Sequence, residues 1–141
     1  MRLLVAFIAG FLATLIFHQG ALAALHAAGV VPVAPYPMAP TWPLGVPQVI
    51  SLAFWGGVWG LVLWAAIRNA RGLTYWGLCA LIGAVGPTAV AMLVVFPLKG
   101  VPVDAAKVVG GVILNGIWGV GTGILILGYF VASGWLRPGR A

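Results

Sequence analysis

Residues 30–47 read VVPVAPYPMAPTWPLGVP and hold six of the ten prolines of the chain. Proline lacks a backbone N–H and its ring clashes with the preceding turn, so a helix cannot continue through this stretch. An extended, polyproline-like path is favoured instead. The stretch interrupts an uncharged segment, residues 3–67, that is too long for a single membrane crossing. It therefore predicts a non-helical loop between two separate helices.

The composition shows which solvent these helices face. The chain has 141 residues, of which 63% are hydrophobic and 6% charged, whereas a soluble domain carries about 25% charged residues. Two further uncharged segments, 72–98 and 108–136, each match one helix across a hydrocarbon core of about 30 Å. The sequence predicts an all-α integral membrane protein, a single domain over residues 1–141. Its four transmembrane helices cover about 3–28, 48–67, 74–97 and 105–136, with a proline-rich outer loop over 29–47.

The first helix has a second interpretation. Arg2, the apolar run that follows it and the small-residue triplet at 21–23 are also typical of a cleavable secretory signal. The apolar character continues to Ala28, which is longer than most signals and favours a membrane span.

The basic residues predict the orientation of the chain. They stand singly or in pairs at the ends of apolar runs, as interfacial anchors do, and not as the basic stripe of a nucleic-acid-binding protein. The N-terminus, the 68–74 loop and the C-terminus carry five of the seven, so the positive-inside rule places both termini in the cytoplasm. The expected partner is the lipid bilayer, with no nucleic acid. The five bases are Arg2, Arg68, Arg71, Arg137 and Arg140.

Two short passages occur twice. PLGVPQV at 43–49 is similar to PLKGVPV at 97–103, and GVWG at 57–60 is similar to GIWG at 116–119. This pattern predicts two tandem helical hairpins in a parallel repeat. Chance is the alternative, because Gly, Val, Trp and Pro are all abundant in this chain. The FWGGVWG and NGIWGVGTG runs, with the composition, resemble small inner-membrane proteins of high-GC bacteria, which implies the inner (plasma) membrane as the location.

Small residues recur at four-residue spacing in each predicted helix. Such faces let helix backbones approach closely, which drives association in lipid, where apolar burial does not. They predict a tight bundle that packs with itself as a homo-oligomer or with a larger membrane protein complex. The predicted packing residues are Gly10, Gly56, Gly60, Gly83, Gly111, Gly119 and Gly123.

The polar residues of the four predicted helices fall at similar depth in the outer half. An ionisable residue within a membrane predicts a functional site, and His18 could carry a proton, ligate a metal or haem iron, or hydrogen-bond a quinone-like head group. The alternative is that these residues only form hydrogen bonds between helices. The candidate ligand-binding layer consists of His18, Gln19, Ser51, Thr88 and Asn115.

Several chemistries lack their residues. Asp104 is the single acidic residue, so paired-carboxylate catalysis is excluded, and no Cys-x-x-Cys or His-Glu-x-x-His pattern predicts a metal site. We therefore expect no catalytic residues, metal or cofactor. The favoured function is that of a non-catalytic accessory subunit of a membrane assembly. The alternatives are a small oligomeric channel or transporter, and a haem- or quinone-binding redox subunit that uses His18.

Overall fold

The computed structural model describes residues 1–134 and shows a mostly helical chain. Four helices are long and apolar enough to cross a membrane. The predicted end of the fourth helix at residue 136, and the basic residues Arg137 and Arg140, lie outside the described residues. The helices are α1 (Arg2–Ala27), α2 (Gln48–Ile67), α3 (Gly72–Leu98) and α4 (Ala105–Ala132).

The proline-rich loop between α1 and α2 contains a small hairpin that the sequence did not predict. Strands β1 (Pro40–Thr41) and β2 (Val46–Pro47) are antiparallel, with Thr41 opposite Val46. The Thr41 hydroxyl donates to the Val46 carbonyl oxygen at 2.8 Å. Gly45 has a φ of +67°, a left-handed conformation that glycine adopts without steric cost.

Both odd-numbered helices contain a wider π turn. In α1 it covers Thr14–His18, and in α3 it covers Ala91–Val95. Pro87 lies one turn before the second π turn, inside α3. Proline removes one backbone hydrogen bond and pushes on the preceding turn, so a local departure from α geometry is expected there. Each π turn changes the direction in which the following side chains point.

The helices pack mainly with their neighbours in sequence. The most extensive contacts are those of α3 with α4 and of α1 with α2, and α1 also packs along α4. The interface between α2 and α3 is smaller. α1 thus packs most extensively with α2, and α3 with α4, while the contacts between these pairs run chiefly through α1 and α4.

Glycine allows the backbones of α1 and α2 to touch where they cross. A Cβ atom on Gly10 would lie 2.3 Å from the Gly56 carbonyl oxygen, and one on Gly60 would lie 2.4 Å from the Ala6 carbonyl oxygen. Both distances are shorter than any real Cβ contact. The crossing therefore requires hydrogen in place of a side chain at both positions.

A second crossing joins α3 and α4 in the same way. A Cβ on Gly83 would lie 2.7 Å from the Asn115 carbonyl oxygen, and one on Gly119 would lie 2.2 Å from the Cys79 carbonyl oxygen. Gly123 lies against the Cys79 side chain, where an added Cβ would approach the Sγ to 2.7 Å. Gly111 is less tightly enclosed, because its nearest neighbour would be Thr88 Cγ2 at 3.0 Å.

An apolar cluster fills the end of the bundle that holds the N-terminus and the α2–α3 loop. Leu63 and Ile67 are fully buried in this cluster, and the rings of Trp64 and Phe130 stack with centroids 5.4 Å apart. The opposite end carries the proline-rich loop and the α3–α4 loop, and we call it the loop end. The buried members of the apolar cluster are Ala6, Ala9, Leu63, Ile67, Cys79, Ile126 and Phe130.

Candidate functional site

A cleft with a volume of about 80 Å³ lies between the four helices. It extends from the middle of the bundle toward the loop end, because its α2 residues lie between positions 52 and 59 of a helix that starts at residue 48 and has 20 residues. Every helix contributes to its wall. The lining residues are Thr14, His18, Leu52, Trp55, Gly56, Trp59, Pro87, Asn115 and Trp118.

Trp118 forms a buried wall of the cleft and ties α4 to α1. Its indole Nε1–H donates to the Gly10 carbonyl oxygen at 3.0 Å, and the Thr14 hydroxyl donates to the same oxygen at 3.1 Å. On the other side of Trp118, the Thr122 hydroxyl donates to the Trp118 carbonyl oxygen at 2.9 Å. Trp118 is thus held in one orientation.

The hydrogen bonds of Gln19 determine which nitrogen of His18 carries the proton. The Tyr36 backbone N–H donates to Gln19 Oε1 at 2.7 Å, and a backbone N–H can act only as a donor. The amide nitrogen of Gln19 therefore faces His18 Nδ1, 3.4 Å away. In this arrangement Nδ1 is the acceptor, and the neutral imidazole carries its hydrogen on Nε2.

Tyr36 fastens the proline-rich loop to α1 beside this pair. Its phenol donates to the Leu15 carbonyl oxygen, within the π turn, at 2.9 Å. Its φ of +51° is uncommon for a residue with a side chain, and the two hydrogen bonds to α1 hold it there. Strained conformations of this kind persist only where the surroundings determine them. Tyr36 consequently attaches the loop to α1 next to His18.

Asn115 lines the cleft and joins α4 to α3. Its Nδ2 donates to the Thr88 hydroxyl at 2.9 Å, across the interface between α3 and α4. Its Oδ1 has no hydrogen-bond partner among residues 1–134, and neither has Nε2 of His18. His18 on α1 and Asn115 on α4 both line the cleft, and each keeps one side-chain atom without a hydrogen-bond partner among residues 1–134.

The five residues of the predicted polar layer divide into three groups. His18 and Asn115 line the cleft, whereas Gln19 and Thr88 are buried behind them and hydrogen-bond to them. Ser51 does not line the cleft. The α2 lining residues 52, 55, 56 and 59 follow helical spacing, and residue 51 is rotated away from the centre of that stripe.

Sequence reasoning missed the aromatic part of the site. Trp55, Trp59 and Trp118 form much of the cleft wall, but tryptophan is common in membrane helices and did not stand out. Two signals were available. The spacing of residues 52, 55, 56 and 59 defines one face of α2, and the repeated GVWG and GIWG passages contain Trp59 and Trp118.

The cleft is electrically neutral. Among residues 1–134, no Lys, Arg, Asp or Glu lines it, and no group of three His, Cys, Asp or Glu could hold a metal ion. The charged residues stand at helix ends, where Asp104 pairs with the ammonium of Lys107. The hydrogen bond from Lys107 holds the pKa of Asp104 below its ordinary value. The arrangement suits an uncharged ligand.

Comparisons with known proteins do not identify this arrangement. No protein-family model matches the chain. Neither the curated proteins nor the solved structures contain a match.

Proposed function

We propose that this chain is a small multi-pass protein of the bacterial inner membrane, where it acts as a non-catalytic accessory subunit of a larger assembly. The observation that carries the proposal is the uneven burial of the helices. Of an apolar stretch of 18 residues in α3, only 17% of the residues are buried inside the bundle. The share is 33% for the corresponding stretch of each of the other three helices. A helix that is so little covered by its own chain offers the widest face to another helix.

The polar side chains support a structural role. Thr14, Gln19, Thr88 and Thr122 are buried, and each is hydrogen-bonded within the chain. In the described part of the chain, no buried side-chain nitrogen or oxygen lacks a partner. Such bonds stabilise and orient helices in lipid by about 0.6–2 kcal/mol each. Polar groups used in this way build a rigid bundle, which suits a subunit that others pack against.

Equivalent contacts in the two helix pairs support a duplicated hairpin. Gly60 ends GVWG and lies against the backbone of residues 6 and 10, whereas Gly119 ends GIWG and lies against that of residues 79 and 83. Four residues before Gly60, the carbonyl oxygen of Gly56 lies against Gly10. Four residues before Gly119, the carbonyl oxygen of Asn115 lies against Gly83 in the same way. The same spacing on all four helices favours a parallel repeat over chance.

A channel through a single copy is disfavoured by the packing. The apolar cluster around Leu63, Ile67 and Phe130 lies between the cleft and the terminal end of the bundle. A continuous polar path would have to run between copies instead. An ion flux through liposomes that rises in proportion to the amount of assembled oligomer would favour this alternative.

Photo-cross-linking in intact membranes tests the proposal. A photoreactive amino acid at Leu81, on the exposed face of α3, should yield a discrete adduct, either a second copy or a larger protein identified by mass. The matched control is Leu4 on α1, because both side chains are 61% exposed. The Leu4 position should yield less of this adduct. The absence of an adduct at Leu81, together with a monomeric mass after mild detergent extraction, would contradict the proposal.

A further inference from the structure

We propose that His18, Gln19 and Tyr36 form a pH-sensitive switch, in which protonation of His18 releases the proline-rich loop from α1. This inference goes beyond the accessory role and depends on different residues. It uses the contact between α1 and the loop and not the outer face of α3. The two proposals can therefore fail independently.

In the attached state, each donor of this contact faces an acceptor. The Tyr36 backbone N–H donates to Gln19 Oε1 at 2.7 Å, and the amide nitrogen of Gln19 faces His18 Nδ1 at 3.4 Å. A ring nitrogen that carries no hydrogen can accept from that amide, so the neutral imidazole suits the arrangement. Gln19 is 1% exposed, so water does not replace either partner while the loop is in place.

Protonation of the ring removes this match. A proton from the solvent binds the lone pair of Nδ1, after which both ring nitrogens are donors and neither accepts. The new N–H of His18 then faces the N–H groups of Gln19. The Gln19 amide regains a hydrogen bond with the ring by turning over, which brings Oε1 to Nδ1. The same turn points its nitrogen at the Tyr36 N–H, which loses its acceptor.

Tyr36 is the point of the loop that depends most on this acceptor. Its φ of +51° is uncommon for a residue with a side chain, and such a conformation persists only where the surroundings determine it. Two hydrogen bonds to α1 hold it, one to Gln19 and one from the phenol to the Leu15 carbonyl oxygen. Loss of the first leaves a single bond to oppose relaxation of the backbone.

The other side of the loop is attached to α2 by bonds that do not titrate. The Val49 N–H donates to the Pro37 carbonyl oxygen and the Gln48 N–H to the Ala39 carbonyl oxygen, each at 2.9 Å. All four groups belong to the backbone, so acid leaves their hydrogen bonds intact. The switch therefore predicts a local change beside α1 and no unfolding of the loop beside α2.

His26 contacts the same loop with the opposite polarity. Its Nδ1 lies 3.1 Å from the Val31 carbonyl oxygen, and a carbonyl oxygen only accepts, so His26 is the donor. The protonated ring donates in the same way. Protonation therefore preserves the contact of His26 and disrupts that of His18, which makes His26 a matched control within the chain.

Other titratable groups near His18 do not explain such a response. Among residues 1–134, the cleft lining on α2, α3 and α4 includes no titratable side chain. The proline-rich loop brings the Tyr36 phenol to α1, and a phenol keeps its hydrogen at neutral pH and below. Asp104 titrates at the loop end, but its hydrogen bonds go to Lys107. Its variant is therefore a second control.

A pH titration of the purified full chain in lipid nanodiscs, followed by NMR, tests the inference. From about pH 7.5 to about pH 4.5, a range that includes the ordinary pKa of histidine, protection of the Tyr36 amide from exchange should fall about ten-fold, the effect of one lost hydrogen bond. Protection of Gln48 and Val49, corrected for the intrinsic pH dependence, should stay constant. The ¹⁵N shifts of the His18 ring should show the Nε2–H form first and uptake of a second proton with the same midpoint.

Three variants complete the test. His18→Leu removes the titrating ring, so Tyr36 protection should no longer depend on pH. His26→Leu and Asp104→Asn should respond like the wild type. The same pH response in His18→Leu would overturn the inference. In the wild type alone, a ring that takes up no second proton in the folded chain, or separate midpoints for the ring and the Tyr36 amide, would also overturn it.

Discussion

At the scale of single residues, the absence of a side chain on Gly10 has the widest effect. The side of its α-carbon where a Cβ would stand lies against Gly56 and Gly60 of α2. Its carbonyl oxygen accepts hydrogen bonds from Thr14 and Trp118. One position thus organises contacts with two other helices. Any side chain here would separate α1 from α2 at this crossing.

Gly10→Ala should destabilise the bundle. The added Cβ would meet the Gly56 carbonyl at 2.3 Å, and overpacking of this kind costs about 1–3 kcal/mol. The measurement is denaturant or thermal unfolding in mild detergent. Gly20→Ala on the same helix is the control, because nothing lies within 4 Å of its Cβ position. Equal stability of the two variants would show that the crossing can relax.

Gln19→Leu should release the proline-rich loop while the helices stay intact. The Gln19 residue is 1% exposed, and its side-chain oxygen accepts a hydrogen bond from the Tyr36 N–H. The variant leaves this N–H without its acceptor, and an unpaired buried donor costs about 1–3 kcal/mol. Amide hydrogen exchange within 29–47 should accelerate, with exchange in α2 and α4 unchanged. Tyr36→Phe, which removes only the bond to Leu15, should have a smaller effect. Unchanged loop exchange in Gln19→Leu would mean that other contacts hold the loop.

At the scale of elements, the ends and turns of the helices are determined by different residues. α4 begins at Ala105 because Asp104, in an extended conformation, accepts the Lys107 N–H at 2.8 Å, the usual bond of an N-cap. Asp104 also pairs with the Lys107 ammonium. The start of α4 therefore depends on a carboxylate that titrates.

The first turn of α4 should loosen in acid. Because Lys107 lowers the pKa of Asp104 in the folded chain, the carboxylate stabilises this turn above the pKa of the unfolded chain. That stabilisation is lost as the pH falls through the lowered folded pKa. Amide exchange of residues 105–108, corrected for its intrinsic pH dependence, should report this. Asp104→Asn keeps a capping oxygen that does not titrate, so its corrected exchange should be flat. The same pH response in both proteins would contradict the prediction.

At the scale of the whole molecule, the helices α1 and α2 contact the helices α3 and α4 chiefly through α1 and α4. The contacts between the pairs include the Trp118 hydrogen bond to Gly10 and the Phe17 ring, which lies over Gly121 where a Cβ would approach it to 2.4 Å. The N-terminus and the α2–α3 loop lie at one end, and the proline-rich loop lies at the other. If the bundle is inserted as proposed, these ends face opposite sides of the membrane.

Cysteine labelling checks this topology. Met38→Cys in the proline-rich loop should react with an impermeant maleimide from the periplasmic side of intact cells, because Met38 is 67% exposed. Asn69→Cys in the exposed α2–α3 loop should react only after the cells are opened. The wild type should stay unlabelled, since Cys79 is buried. Labelling of both variants in intact cells would contradict the proposed four-span insertion.

Part of this picture could be predicted because its signals are local. The prolines of 30–47, the charges at the ends of apolar runs and the Asp104 cap are read within a few residues, so four long apolar helices followed from the sequence. The hairpin formed by Thr41 and Val46 could not be predicted, because two-residue strands have no periodicity. Ser51 and the cleft tryptophans show the same limit, since depth along a helix does not specify rotation about its axis.

The amino-acid sequence by itself determined how many apolar helices this chain forms, where they break and which small residues are spaced to face a neighbour. Hydrophobicity, proline and spacing act on adjacent residues, which is why no partner helix is needed to read them. Only the tertiary structure decided that His18 and Asn115 share a cleft, that Trp118 reaches Gly10 and that Tyr36 fastens the loop. These contacts join residues from different helices and loops, and they depend on the π turn in α1 and on the rotation of each helix in the bundle.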